Sequence, residues 1–120
     1  MTIAIRDSQL TIIQPSGHIN AANAAEFQRQ LTAAVTSAPQ AILVDMYRVD
    51  SLDSAGLMSL ICAFRLAQRL NRRFGICGVP PSIQMIFELT RLDAAFEIFP
   101  SRDAFAAMLE RGEESVKLIA

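Results

Sequence analysis

The chain has no tryptophan, one tyrosine, one histidine and two cysteines. The lone His18 has no ligand-spaced companion, and Cys62 and Cys77 stand too far apart for a C-x-x-C pair, so no metal centre is expected. Both cysteines fall on apolar segments, which suits reduced, buried thiols of a cytosolic protein. Long hydrophobic runs are missing too. None approaches the ~18 residues of a membrane span, and "MTIAIRDSQL" is not the basic start and apolar core of a secretory signal. The expectation is a cytoplasmic protein that does not itself insert into a membrane. Glycine is scarce, and none of the five belongs to a phosphate-cradling loop, so no cofactor is expected. Eleven basic residues against twelve acidic give a net charge of -1, which offers no footprint for nucleic acid. The one local cluster, Arg65, Arg69, Arg72 and Arg73, reads as a solvated helix end that complements the helix dipole.

What is present is a core. With 52% hydrophobic and 19% charged residues, 120 residues suffice for a stable fold, and no repeat or linker interrupts residues 1–120. The β-branched runs Thr2–Ile5 and Leu10–Gln14 flank the polar turn Arg6-Asp7-Ser8 and predict a hairpin. Ala24, Phe27, Leu31, Ala34 and Val35 recur at helical spacing; Asn20 or Asn23 is the candidate cap, and Pro39 follows the end. "AILVDM" (41–46) is a near-continuous apolar run, as in a strand covered on both faces. Leu57, Leu60, Ile61, Phe64 and Ala67 predict an amphipathic helix to about Asn71. A second buried strand follows over Phe74–Val79, then a helix opened by Pro80-Pro81 and carrying Ile83, Ile86, Phe87 and Leu89. A short strand over Ala94–Phe99 precedes a last helix, capped by Ser101, through Phe105, Met108 and Leu109 to Gly112. The order β-β-α-β-α-β-α-β-α implies a single α/β domain with a mixed, mostly parallel sheet and crossover helices. Periodicity leaves open whether the helices cover one face or both.

The segment "RVDSLDSAGLMSL", Arg48–Leu60, joins the first buried strand to its helix, at the end of the sheet where binding sites gather. Ser54 reads as the N-cap, accepting from the amide of Gly56 or Leu57, and Gly56 keeps the first turn slim enough for another molecule to approach. A nucleophilic role for Ser54 needs a base, and His18 is the sole histidine candidate. The G-x-S-x-G elbow is absent, however, which disfavours a small hydrolase.

"VDSLDSAGL", preceded by "ILVDM" and earlier by "GHIN", resembles the STAS domain shared by anti-sigma factor antagonists and sulphate transporter tails. The likeness extends through "FGICGV" and the segment ending "LDAAFEIF". It implies a regulatory protein of a partner-switching pathway, not an enzyme. A serine-kinase anti-sigma factor binds such an antagonist and phosphorylates one serine, which matches Ser54 here; a serine phosphatase reverses the mark. The implied partner surface comprises Asn20, Ala21 and Asn23, then Ser51, Asp53, Ala55 and Gly56, then Met58 and Ser59. Ser51 and Ser59 are lesser acceptor candidates. Where the family often carries aspartate, "GHIN" has Asn20, which still accepts hydrogen bonds but removes a charge. The alternative within the same fold is a non-phosphorylated subunit of a membrane lipid or anion transporter, with Ser54 only capping.

Overall fold

The sheet is built outward from the most apolar strand of the chain. The computed structural model describes residues 3–6, 10–37 and 41–111. In chain order its elements are β1 (Ile3–Arg6), β2 (Leu10–Gln14), β3 (Gly17–Ile19), α1 (Ala24–Ser37), β4 (Ala41–Asp45), β5 (Val49–Leu52), α2 (Ser54–Arg69), β6 (Arg73–Cys77), α3 (Pro81–Leu89), α4 (Leu92–Ala95), β7 (Glu97–Phe99) and α5 (Arg102–Glu110). Five strands form one sheet in the order β1-β2-β4-β6-β7. β1 runs antiparallel to β2, and the other neighbours are parallel.

β4 lies at the centre with all five residues buried. Ile42 and Val44 join the larger core with Phe27, Leu31, Leu60, Phe87 and Phe96, while Ala41 and Leu43 face a smaller core with Leu10, Cys77 and Phe105. A strand clad on both faces has no polar side, which is why its sequence shows no alternation. The helices α1 to α4 therefore cover one face and α5 the other. In β6 the alternation is by size: Phe74 and Ile76 enter the larger core, whereas Gly75 makes room for the Phe105 ring. A Cβ on Gly75 would stand 2.5 Å from Phe105 Cε1.

The structure departs from the expectations at Arg6, which ends β1 instead of opening the turn, at Leu89, which is exposed, and in four further places. First, β3 and β5 form a separate two-stranded parallel sheet that the sequence pattern did not announce. Second, α2 stops at Arg69 rather than about Asn71. Asn71 takes the left-handed conformation at φ 56, with Asn71 N–H donating to Gln68 O and Arg72 N–H to Ala67 O, a Schellman ending. Third, Gly78 at φ 65 helps end β6 after Cys77, short of Val79. Fourth, Leu92–Ala95 is a helical turn following left-handed Arg91, so the last strand begins at Glu97 and not Ala94. Pro80-Pro81 opens α3 as expected. The turn residues Asp7 and Ser8, Pro39 and Gly112 lie outside the described residues.

Candidate functional site

The small sheet is the platform of the site. β3 and β5 pair with His18 opposite Ser51 and Ile19 opposite Leu52. Ile19, Val49 and Leu52 are buried, whereas His18, Asp50 and Ser51 are exposed, so the pair has one apolar and one polar side. The segment Arg48–Leu60 is thus a strand followed directly by a helix, with Asp53 as the hinge between them. Gly56 lets the first turn of α2 press onto the platform: a Cβ there would lie 2.6 Å from Leu52 Cδ1 and 2.7 Å from Ile19 Cγ2. Its close approach is therefore internal. The expectation that Gly56 opens the turn to another molecule is corrected, because that space is filled by Leu52 and Ile19.

The cap also differs. Asp53, not Ser54, is the N-cap of α2, with Oδ1 accepting from Gly56 N–H at 3.0 Å. Ser54 is the first helical residue, is exposed, and has no hydrogen-bond partner for its hydroxyl among the described residues. One carboxylate does the capping, so the adjacent hydroxyl is left to solvent. Asp53 does a second job: Oδ2 accepts from Ala21 N–H at 3.1 Å, and the Asp53 N–H donates to Ile19 O at 3.1 Å. The carboxylate thereby joins the start of α2 to the turn before α1.

That turn is held by its asparagines. Asn20 Oδ1 accepts from Ala22 N–H at 2.9 Å, and Asn23 Oδ1 accepts from Asn20 N–H at 2.9 Å. Asn23 Nδ2 donates to His18 O at 2.7 Å. Both side chains serve the turn in these bonds. An asparagine oxygen supports this geometry as an aspartate would, without adding charge beside Asp53.

Of the remaining candidates, Ala21 and Asn23 are exposed, Asn20 and Ala55 half-buried, and Met58 is 52% exposed. Ser59 is buried, with Oγ donating to Ala24 O at 3.2 Å and Ala55 O at 3.1 Å, so it stitches α2 to α1 and offers no surface. His18 Nδ1 stands 2.6 Å from Ser51 Oγ. The imidazole considered as a base for Ser54 is engaged with Ser51 instead. Sequence reasoning missed this pairing; the available signal was that "GHI" and "VDSL" can pair as short strands with polar outer residues. Asp50 and Asp53 are both exposed, and neither is ion-paired among the described residues. The outer side of the site thus carries two carboxylates around one unengaged serine hydroxyl.

Comparison with known proteins gives this geometry its relatives. The STAS domain family model matches residues 2–105. BtrV of Bordetella bronchiseptica, a candidate anti-sigma factor antagonist, is 28% identical over 91 residues, covering 76% of this chain and 78% of that one. The crystal structure of an anti-sigma factor antagonist from Mycobacterium paratuberculosis is 26% identical with a TM-score of 0.80, covering 89% of this chain and 92% of that one. The Bacillus cell fate determinant SpoIIAA in its phosphorylated form shares the fold at 14% identity, with a TM-score of 0.71 over 94% of this chain and 100% of that one. With a family match across nearly its whole length, the chain belongs to the STAS domain family.

Proposed function

We propose that the protein is an anti-sigma factor antagonist, switched by phosphorylation of Ser54. A serine-kinase anti-sigma factor binds the surface around Ser54 and transfers a phosphoryl group to its Oγ. The complex then separates, and a serine phosphatase restores the hydroxyl. The protein is a substrate and binding module in this cycle and not itself an enzyme; the cycle belongs in the cytoplasm. The observation that carries the reading is the division of labour at the start of α2: Asp53 caps the helix, so Ser54 is exposed with its hydroxyl unengaged. Relatives at 26% and 28% identity bear the anti-sigma factor antagonist name, and a neighbour of the same fold exists in a phosphorylated form, both in keeping with this cycle.

The contact surface on this reading comprises Asn20, Ala21, Asn23, Ser51, Asp53, Ala55 and Met58. Gly56 and Ser59 shape it from beneath. A phosphoserine brings about −1.5 to −2 charges. At the first turn of a helix the dipole favours such charge by ~0.3–1 kcal/mol, so the fold tolerates the mark. A partner does not. At ~6 Å and an effective dielectric of ~40, a double charge and one carboxylate repel by roughly 2–3 kcal/mol. That corresponds to about a 10²-fold loss of affinity, since ~1.4 kcal/mol is tenfold. The switch thus makes one surface unacceptable without refolding anything.

The test compares Ser54→Ala and Ser54→Asp for partner affinity and melting temperature. Ser54→Ala is expected to bind as wild type and to refuse phosphate. Ser54→Asp is expected to bind more weakly with an unchanged melt. Equal binding by Ser54→Asp, together with co-fractionation of the protein with membranes, would replace this reading with the transporter-subunit alternative.

A further inference from the structure

The outer face of α2 changes character along its length. Ser54, Met58, Cys62, Arg65 and Arg69 follow one another at four- and three-residue steps, which places them on one side of the helix. All are exposed except the half-buried Cys62. Cys62, Arg65, Gln68 and Arg69 line an open hollow of about 570 Å³. From Ser54 to Phe87 the chain contains no aspartate or glutamate, yet Arg65, Arg69, Arg72 and Arg73 all fall in that stretch. Arg73 is ion-paired with Glu97 at 3.1 Å. Among the described residues no carboxylate pairs with Arg65 or Arg69. The helix dipole accounts for Arg69 in the last turn of α2. Arg65 sits a turn earlier, where that effect has faded, so the dipole does not explain the pair.

We infer that α2 is a two-part docking helix, in which the protein partner that meets Ser54 also places carboxylates in the Arg65–Arg69 hollow. The inference rests on the reading of Ser54 given above and adds the chemistry of the partner. At 1.5 Å per residue Arg65, the nearer of the two arginines, stands about 16 Å along the helix from Ser54. That is about two Debye lengths at physiological salt, so a phosphate on Ser54 leaves the arginines unneutralised. The two ends then act separately. The cationic end attracts and orients an acidic surface, and the Ser54 end repels the same surface once phosphorylated. Guanidinium groups suit carboxylates because their fork of donors matches both oxygens. Nucleic acid is a poorer fit, since a net charge of -1 opposes it and the exposed cations are few.

A photo-crosslinking residue at Met58 identifies the partner at the Ser54 end. That partner, purified, is then titrated with wild type, Ser54→Asp, Arg65→Glu/Arg69→Glu and Arg65→Lys/Arg69→Lys, each at low and high salt and each checked for an unchanged melt. The charge reversal is expected to weaken binding by at least about tenfold and to remove most of its salt dependence, while the lysine pair, which keeps the charge and loses the fork, falls between wild type and the reversal with its salt dependence retained. Its effect and that of Ser54→Asp are expected to add, because the sites lie more than ~10 Å apart. Full-strength binding by the charge reversal, with Ser54→Asp impaired, would overturn the inference and leave the Ser54 reading standing. Full-strength binding by Ser54→Asp, with the charge reversal impaired, would remove the Ser54 reading and keep the cationic contact. If the charge reversal instead abolished adsorption to phosphatidylserine vesicles and kept the partner, the patch would serve a lipid surface and the inference would fail.

Discussion

Asp45 and Asp53 each stand at the C-terminal end of a strand, yet the fold uses their charges in opposite ways. Asp45 is 6% exposed. Its Oδ2 accepts from Arg102 Nε at 2.6 Å and Gln14 Nε2 at 3.1 Å, and its Oδ1 accepts from Tyr47 N–H at 3.0 Å. The carboxylate thus ties β4 to β2 and to α5, and a cation answers its charge. Asp53 is exposed, accepts from two backbone amides, and has no cation partner among the described residues. The first is a staple inside the molecule. The second holds local geometry while its charge still faces whatever arrives. An equal residue type therefore gives an internal staple in one region and an exposed, unpaired charge in the other, according to what surrounds it.

The largest expected effect breaks the staple. Asp45→Ala leaves Arg102 without its carboxylate and the Tyr47 amide without its acceptor. The expected loss is about 2–4 kcal/mol, discounted because Arg102 is partly exposed. At about 4 °C per kcal/mol this lowers the melting temperature by ~8–16 °C. A loss of only a degree or two would show that the bridge contributes little to stability.

Asp53→Ala comes next. Losing the N-cap costs ~0.5–2 kcal/mol, and the Ala21 amide loses its acceptor as well. Hydrogen exchange should quicken at Gly56 and Ala21 while amides of β4 stay protected. Quickening throughout the sheet would make Asp53 a global staple like Asp45.

A smaller effect separates the two regions by their thiols. Burial, with the Asp45 carboxylate adding to it, pushes the Cys77 thiol up to about 12 from its ordinary 9.0. The native state then holds a proton that the unfolded chain releases, so this contribution to stability is complete below pH 9.0 and declines as pH rises toward about 12. At mildly alkaline pH, alkylation followed by peptide mapping should mark Cys62 on the outer face of α2 and spare Cys77. Equal labelling would contradict the enclosure of the Asp45 region.

The smallest effect belongs to Ser54→Ala, whose hydroxyl caps nothing. Stability should change by less than ~0.5 kcal/mol, as expected for a surface substitution. A loss of the size of a helix cap would mean that Ser54 shares the capping with Asp53.

The same contrast explains what could be read from the sequence. β4 and β6 are legible because burial on both faces leaves a continuous apolar run, and α2 because its apolar residues recur at helical spacing. β3 and β5 are three and four residues long, with His18, Asp50 and Ser51 turned outward, so they resemble a polar loop. α4 hides behind Arg91, a non-glycine residue at φ 62 that propensity does not anticipate. The segment Arg48–Leu60 was legible as the junction of a strand and a helix, which is where the proposed site lies. The capping residue was not, because aspartate and serine are comparable N-caps and stand next to each other here. Only the backbone decides that Asp53 takes the cap and Ser54 the solvent. Likewise a serine at position 59 reads as surface on composition, while the contact of α2 with α1 buries it.

The most direct test of the central claim is the intact mass of the protein recovered from its own cells, with the modified peptide sequenced. A fraction carrying one phosphate, located on Ser54 and absent from Ser54→Ala, is expected. A protein that carries no phosphate under any growth condition, or carries it on Ser51 with Ser54 unmodified, would contradict the claim.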